Sequence, residues 1–130
     1  MVRGLCFGTF DGFHEGHDVF LIQAKNLCDE LIVCVARDAH IRLLKRREPR
    51  LGEEVRLRVV ADHPCVTRAV LSDETLGSYL CLKTFQPDLI LLGHDQGALA
   101  NDLMRFGVET GERFTIRFLQ RLERTPSKSS

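Results

Sequence analysis

Two kinds of segment alternate along the chain: runs in which every residue is apolar, and stretches in which apolar residues recur every three or four positions. Leu31 to Ala36 and Leu89 to Leu92 are of the first kind, as expected of central strands in a parallel sheet covered on both faces. Leu5 to Phe7 and Ala69 to Leu71 are weaker versions. Between them come helical spacings: Phe20, Ala24, Leu27 and Cys28; Leu51, Val55 and Val59; Leu76, Tyr79 and Leu80; Leu99, Leu103 and Phe106. Each predicts a helix with one face on the sheet. Phe114 to Phe118 alternates apolar with polar positions, which predicts a strand nearer the edge. Strand alternating with helix implies βαβ units with right-handed crossovers. The expected fold is therefore α/β, with a mostly parallel five-stranded, doubly wound sheet and helices on both faces. Ligands of such sheets gather at the carboxyl ends of the strands, so the loops after Phe7, Ala36 and Leu92 are where chemistry is expected.

Composition narrows the class without changing that picture. The chain has 130 residues, 44% apolar and 28% charged, enough for one domain with a real core. Its net charge of +0 offers no broad attraction for a nucleic-acid backbone, so an anion must be held by a local cluster. Arg42 to Arg50 supplies one, although such a stretch also reads as a solvated basic loop. The five cysteines, Cys6, Cys28, Cys34, Cys65 and Cys81, are scattered, lack a C-x-x-C pair and lie mostly in apolar runs. They read as buried hydrophobes in a reducing compartment. No signal-like segment opens the sequence and no run of 18 apolar residues occurs, so a cytoplasmic location and no membrane partner are expected.

The segment Gly8-Thr9-Phe10-Asp11-Gly12-Phe13-His14-Glu15-Gly16-His17 lies between the first strand and the first helix. Its glycines allow a tight turn and close approach to a ligand, while the following helix offers free N–H groups and the positive end of its dipole. Phosphate suits such a corner. His14 and His17, three apart, can share a helix face and donate to one phosphate. Two histidines at this spacing can also bind zinc, but no third ligand at metal spacing accompanies them.

These residues resemble the H-x-G-H signature of the cytidylyltransferase and adenylyltransferase superfamily, which implies a Rossmann-like fold and a single nucleotidyltransferase domain over residues 1–130, with 124–130 able to form a loose tail. By that resemblance, His14 and His17 contact a triphosphate, Gly8, Thr9, Phe10 and Gly16 border the nucleotide, and Asp11 faces the acceptor. Leu44-Lys45-Arg46-Arg47 and Glu53-Glu54-Val55-Arg56 resemble the family's lysine-bearing loop and the arginine of its next helix, making Lys45 a catalytic candidate and Arg56 a phosphate-binding residue on the acceptor side. Leu92-Gly93-His94-Asp95 resembles the strand exit where ribose and base lie, so Asp95 becomes a nucleotide ligand. An ordinary helix N-cap is the other reading of Asp95. Arg124-Thr125-Pro126-Ser127-Lys128-Ser129-Ser130 resembles the R-T-x-G-I-S-T segment of cytidylyltransferases through Arg124, Thr125 and Ser129, but lacks its glycine and isoleucine.

The implied reaction joins a nucleoside monophosphate from CTP or ATP to a phosphorylated acceptor and releases pyrophosphate. Such chemistry asks for in-line positioning and neutralisation of growing charge, here by His14, His17, Lys45, Arg124, backbone N–H groups from Gly8 to Phe10, and Mg2+ carried with the triphosphate. No cysteine is required. The Arg-Thr ending favours a glycerol-3-phosphate cytidylyltransferase-like enzyme. The segments Val-Ala-Arg-Asp and Leu-Gly-x-Asp-Gln favour the alternative, an FAD synthetase that adenylylates FMN. A catalytically inactive nucleotide-binding module is the alternative of another class. The resemblance also implies a homodimer.

Overall fold

The computed structural model describes residues 1–12 and 15–120. In chain order the elements are β1 (Arg3–Gly8), α1 (Glu15–Asn26), β2 (Glu30–Val35), α2 (Asp38–Lys45), α3 (Glu53–Ala61), β3 (Arg68–Leu71), α4 (Leu80–Phe85), β4 (Leu89–Leu92), α5 (Gly97–Thr110) and β5 (Ile116–Phe118). The five strands form one sheet in the order β3-β2-β1-β4-β5, and every pairing is parallel, with Leu5 opposite Ile32 on one side and Ile90 on the other. It is a single Rossmann-like domain, as the alternation of the sequence predicts.

Successive strand side chains point to opposite faces, and the apolar runs use both. Leu5, Ile32, Cys34, Ile90 and Leu92 join Cys81, Leu82, Ala100 and Leu103 in one cluster, under α4 and α5. Cys6, Leu31, Val33, Val35 and Leu91 join Leu21, Ala24 and Val60 in the other, under α1 and α3. This two-sided burial is why Leu31 to Val35 and Leu89 to Leu92 carry no polar residue. β5 is an edge strand and Phe118 is half exposed, as its alternation implies. All five cysteines are free; Cys6, Cys34 and Cys81 are buried, whereas Cys28 and Cys65 are only partly so.

Three helices differ from the pattern. α2 falls within the segment expected to be loop: its deep anchors are His40 and Ile41, while Leu43 and Leu44 stay exposed, so eight residues never build a recognisable stripe. α3 turns inward not the Leu51, Val55 and Val59 face but Arg56 and Val60. A guanidinium does not read as interior until its partners are known. α4 begins at Leu80, because Tyr79 takes a left-handed conformation with φ 47° and closes the preceding loop; Leu76 belongs to that loop and is exposed.

Candidate functional site

The strand order reverses direction between β1 and β4, and a cleft opens there at the strands' carboxyl ends. Its volume is about 1440 Å³, and it is bordered by the exits of all five strands, through Gly8, Ala36, Ser72, Gly93 and Leu119. Of the residues expected from sequence, Gly8, Thr9, Phe10, Gly16, His17, Lys45 and Asp95 border this one cleft. His14, Arg124, Thr125 and Ser129 lie outside the described residues.

The floor is built by close approach. A Cβ at Gly8 would stand 2.5 Å from the Phe10 ring, so only glycine fits beneath it. Phe10 has φ 52° and Gly12 φ 76°, two left-handed residues that turn the chain sharply back toward α1. The Phe10 side chain is buried in the α1–α3 cluster, and its ring centroid lies 5.1 Å from that of His17, tilted by 56°. Phe10 thus belongs to the core through its ring, which props the imidazole of His17 at the cleft rim.

Asp11 and Arg56 do not border the cleft; both are occupied in tying its loops together. The side chain of Asp11 is 1% exposed. Its carboxylate accepts from Arg47 Nη1 at 2.9 Å, from the Arg50 N–H at 2.8 Å and from the Leu51 N–H at 2.9 Å. Burial pushes its pKa up, but these three donors and the Arg47 charge outweigh burial and bring it down to about 2. Arg56 is fully buried. It donates to the carbonyls of Leu51, Thr9 and Ala36 at 2.9, 2.9 and 2.7 Å, and to Asp38 Oδ1 at 2.6 Å. Asp11 and Arg56 latch residues 9–11, which leave β1, to residues 36–51.

Lys45, the last residue of α2, is exposed at the cleft, where a charge on a flexible stem can reach a phosphate. Across from it, Asp95 is exposed and does not cap α5: the cap position belongs to Gln96, and no side chain makes a capping bond. Gln96 has another task, which its sequence context did not reveal. Its Oε1 accepts from the Gly93 N–H at 2.8 Å and its Nε2 donates to the Phe7 carbonyl at 3.0 Å, joining the β4 exit to β1.

One wall of the cleft had no signature in the sequence. Ser72, Asp73, Thr75, Leu76, Gly77 and Tyr79 follow β3 and border it. Asp73 accepts from Ser78 Oγ and from the Leu80 N–H. Tyr79 donates its hydroxyl to Asp102 Oδ2 at 2.6 Å, and burial followed by that bond holds the phenol far above its ordinary pKa. Arg105 grips Asp102 and Glu109 from α5. Only tertiary contacts bring this segment to the mouth.

A family model described as cytidylyltransferase-like matches residues 5–113. The chain belongs to the cytidylyltransferase-like family. It is accordingly a nucleotidyltransferase, an enzyme rather than a silent binding module. Among relatives of this cytidylyltransferase-like chain, the FAD synthase of Methanopyrus kandleri is 37% identical over 131 aligned positions, covering 98% of this chain and 86% of that protein. The FAD synthase of Korarchaeum cryptofilum is 40% identical over 131 positions, covering 98% and 87%. The solved structure of the lipopolysaccharide core biosynthesis protein from Thermoplasma volcanium GSS1 matches with a TM-score of 0.85 and 32% identity, over 95% of this chain and 99% of that one. Among the described residues, no helix is long and apolar enough to cross a membrane.

Proposed function

We propose that this enzyme is an FMN adenylyltransferase, forming FAD and pyrophosphate from ATP and FMN. The observation that carries the reading is the similarity to FAD synthases across nearly the entire chain. It favours the adenylyl branch over the glycerol-3-phosphate cytidylyl branch that the Arg-Thr ending suggested. The cleft supports it: at about 1440 Å³ it exceeds the roughly 300–1,000 Å³ that houses a single drug-sized ligand, as two large substrates require.

In this reading an oxygen of the FMN phosphate attacks the α-phosphorus of ATP, and the bond from that phosphorus to the pyrophosphate oxygen breaks. The attacking oxygen is already anionic, so no protein base or nucleophile is needed. His14 and His17 neutralise charge on the transferring group, Lys45 and Arg124 that on the leaving pyrophosphate, and the N–H groups from Gly8 to Phe10 cradle the phosphates. Asp95 meets the ribose; Thr125 and Ser129 bind phosphate. Among the described residues no group of three or more His, Cys, Asp or Glu is arranged for a metal ion. Mg2+ that enters with the triphosphate would be held chiefly by the substrate phosphates and water. The cation would supply charge neutralisation between phosphate oxygens. A homodimer and a cytoplasmic location complete the reading.

The test is to incubate the protein and Mg2+ with ATP plus FMN, and separately with CTP plus glycerol 3-phosphate, and to quantify FAD and pyrophosphate. FAD and pyrophosphate in equal amounts are expected. Pyrophosphate from the CTP mixture without FAD from the other would return the chain to the cytidylyl branch. His17→Ala should lower kcat by about a hundredfold with the thermal midpoint retained.

A further inference from the structure

α1 meets the cleft along one side and the core along another. Gly16, His17, Val19, Phe20 and Gln23 border the cleft, while Leu21 and Ala24 are fully buried in the cluster under α1 and α3. From Gly16 onward, Leu21 is the first residue of the helix to be fully buried; Gly16 is exposed, and His17 and Asp18 are half-buried. The turn that carries His17 therefore precedes the helix's apolar anchor, and Gly16 adds backbone freedom of its own. An imidazole aimed at a transferring phosphate needs a firmer hold, since a misplacement of about 1 Å costs roughly a hundredfold in rate.

Asp18 supplies that hold without itself bordering the cleft. Its Oδ1 lies 2.6 Å from His63 Nε2, although the two residues are 45 positions apart in the chain. The Cys65 N–H donates to His63 Nδ1 at 3.1 Å, so the ring proton sits on Nε2, which donates to the carboxylate. The backbone around His63 is closed on itself: its N–H donates to the Val60 carbonyl, and the Val66 N–H donates to its carbonyl, both at 3.0 Å. Val60 is fully buried in the same cluster as Phe10 and Leu21. The side chain of His63 is 9% exposed and that of Asp18 50%. The histidine is thus the fixed post, and the carboxylate is the arm by which the helix is held. Phe10 packs its ring against His17, so the first turn is gripped at two consecutive residues, about 100° apart around the helix.

We propose that His63 is a positioning residue for nucleotidyl transfer: through Asp18 it sets the rotation of the first turn of α1, and so the aim of the His17 imidazole into the cleft. Neither His63 nor Asp18 touches the reactants. The inference rests on the role given to His17 above and adds the pair that holds it in place.

Two replacements of the same ring separate positioning from support of the fold. His63→Gln keeps a donor near the Nε2 position and gives up the acceptor for Cys65; His63→Asn keeps an acceptor near Nδ1 and gives up the bond to Asp18. Both should lower the thermal midpoint, but only Asn should slow turnover. Its kcat should fall by about tenfold or more, with the KM for the nucleotide within about twofold of wild type. The assay is pyrophosphate release in whichever mixture, ATP plus FMN or CTP plus glycerol 3-phosphate, the wild type turns over. Asp18→Ala, at a half-exposed helical position where alanine is well tolerated, should match His63→Asn. On a His17→Ala background, His63→Asn should cost no further kcat. NMR reads the aim directly and needs no substrate. The His17 ring protons, identified by their loss in His17→Ala, should keep their wild-type shifts in His63→Gln and move in His63→Asn and Asp18→Ala, as the ring turns relative to Phe10. Wild-type kcat and unmoved His17 shifts in Asp18→Ala would overturn the positioning and leave the role of His17 intact. A wild-type kcat in His17→Ala would remove that role, and this inference with it.

Discussion

Asp11 shows how a residue in a recognisable motif can be engaged by partners that the motif does not name. Its place in Gly-Thr-Phe-Asp suggested an acceptor ligand, yet its partners Arg47, Arg50 and Leu51 lie 36 to 40 positions away, beyond any local pattern. Its pKa is depressed from 3.8 to about 2. A carboxyl depressed in the fold stabilises it above the unfolded value, and that contribution fades as pH falls through the folded one. The urea midpoint of the wild type should therefore drop steeply between about pH 4 and pH 2. Asp11→Asn should be less stable at pH 7 and flatter across that window. An Asn variant with a wild-type midpoint at both ends would deny the latch. Arg56 carries the same lesson more strongly, since a fully buried guanidinium with Asp38 beside it is invisible to a search for apolar faces. His17 and Lys45, in contrast, were placed at the cleft by their motifs alone, because they sit directly at a strand exit and a helix end.

Among the elements, the central strands are legible because they are apolar on both sides, and β4 occupies the run Leu89 to Leu92 without change. Helices that lean on the sheet by one or two residues are not: α2 buries only His40 and Ile41, and the inward face of α3 is carried by Arg56 and Val60. The start of α5 matters most for function. Gln96 bonds both Gly93 and Phe7, so it fixes the β4 exit relative to the loop that leaves β1. Gln96→Ala should cost about 1–3 kcal/mol of stability by leaving a donor and an acceptor unpaired, and should raise the KM for ATP. Gln96→Glu keeps the size but cannot donate to the Phe7 carbonyl when ionised. A thermal melt of the pair should show both variants below wild type. If Glu behaves as Gln, the bond to Phe7 carries no weight.

For the whole molecule, the parallel five-stranded sheet and its two-sided cover follow from the alternation of segments, whereas the strand order and the extent of the cleft do not, because the wall after β3 comes from a loop without a motif. Ligand binding should couple to folding: a ligand at about a hundredfold its Kd stabilises the native state by roughly 2.7 kcal/mol. For a chain of this size that is on the order of 5–10 °C in Tm. ATP with Mg2+ should produce such a rise in a differential scan, and CTP a smaller one; equal or larger shifts with CTP would move the nucleotide assignment. The outer rims of the sheet point to one more property. β3 has four residues and β5 three, and each carries an exposed arginine, Arg68 and Arg117. So short and charged a border is a poor template for a neighbour's backbone. Among the described residues, the two rims therefore discourage a neighbour's strand from extending the sheet.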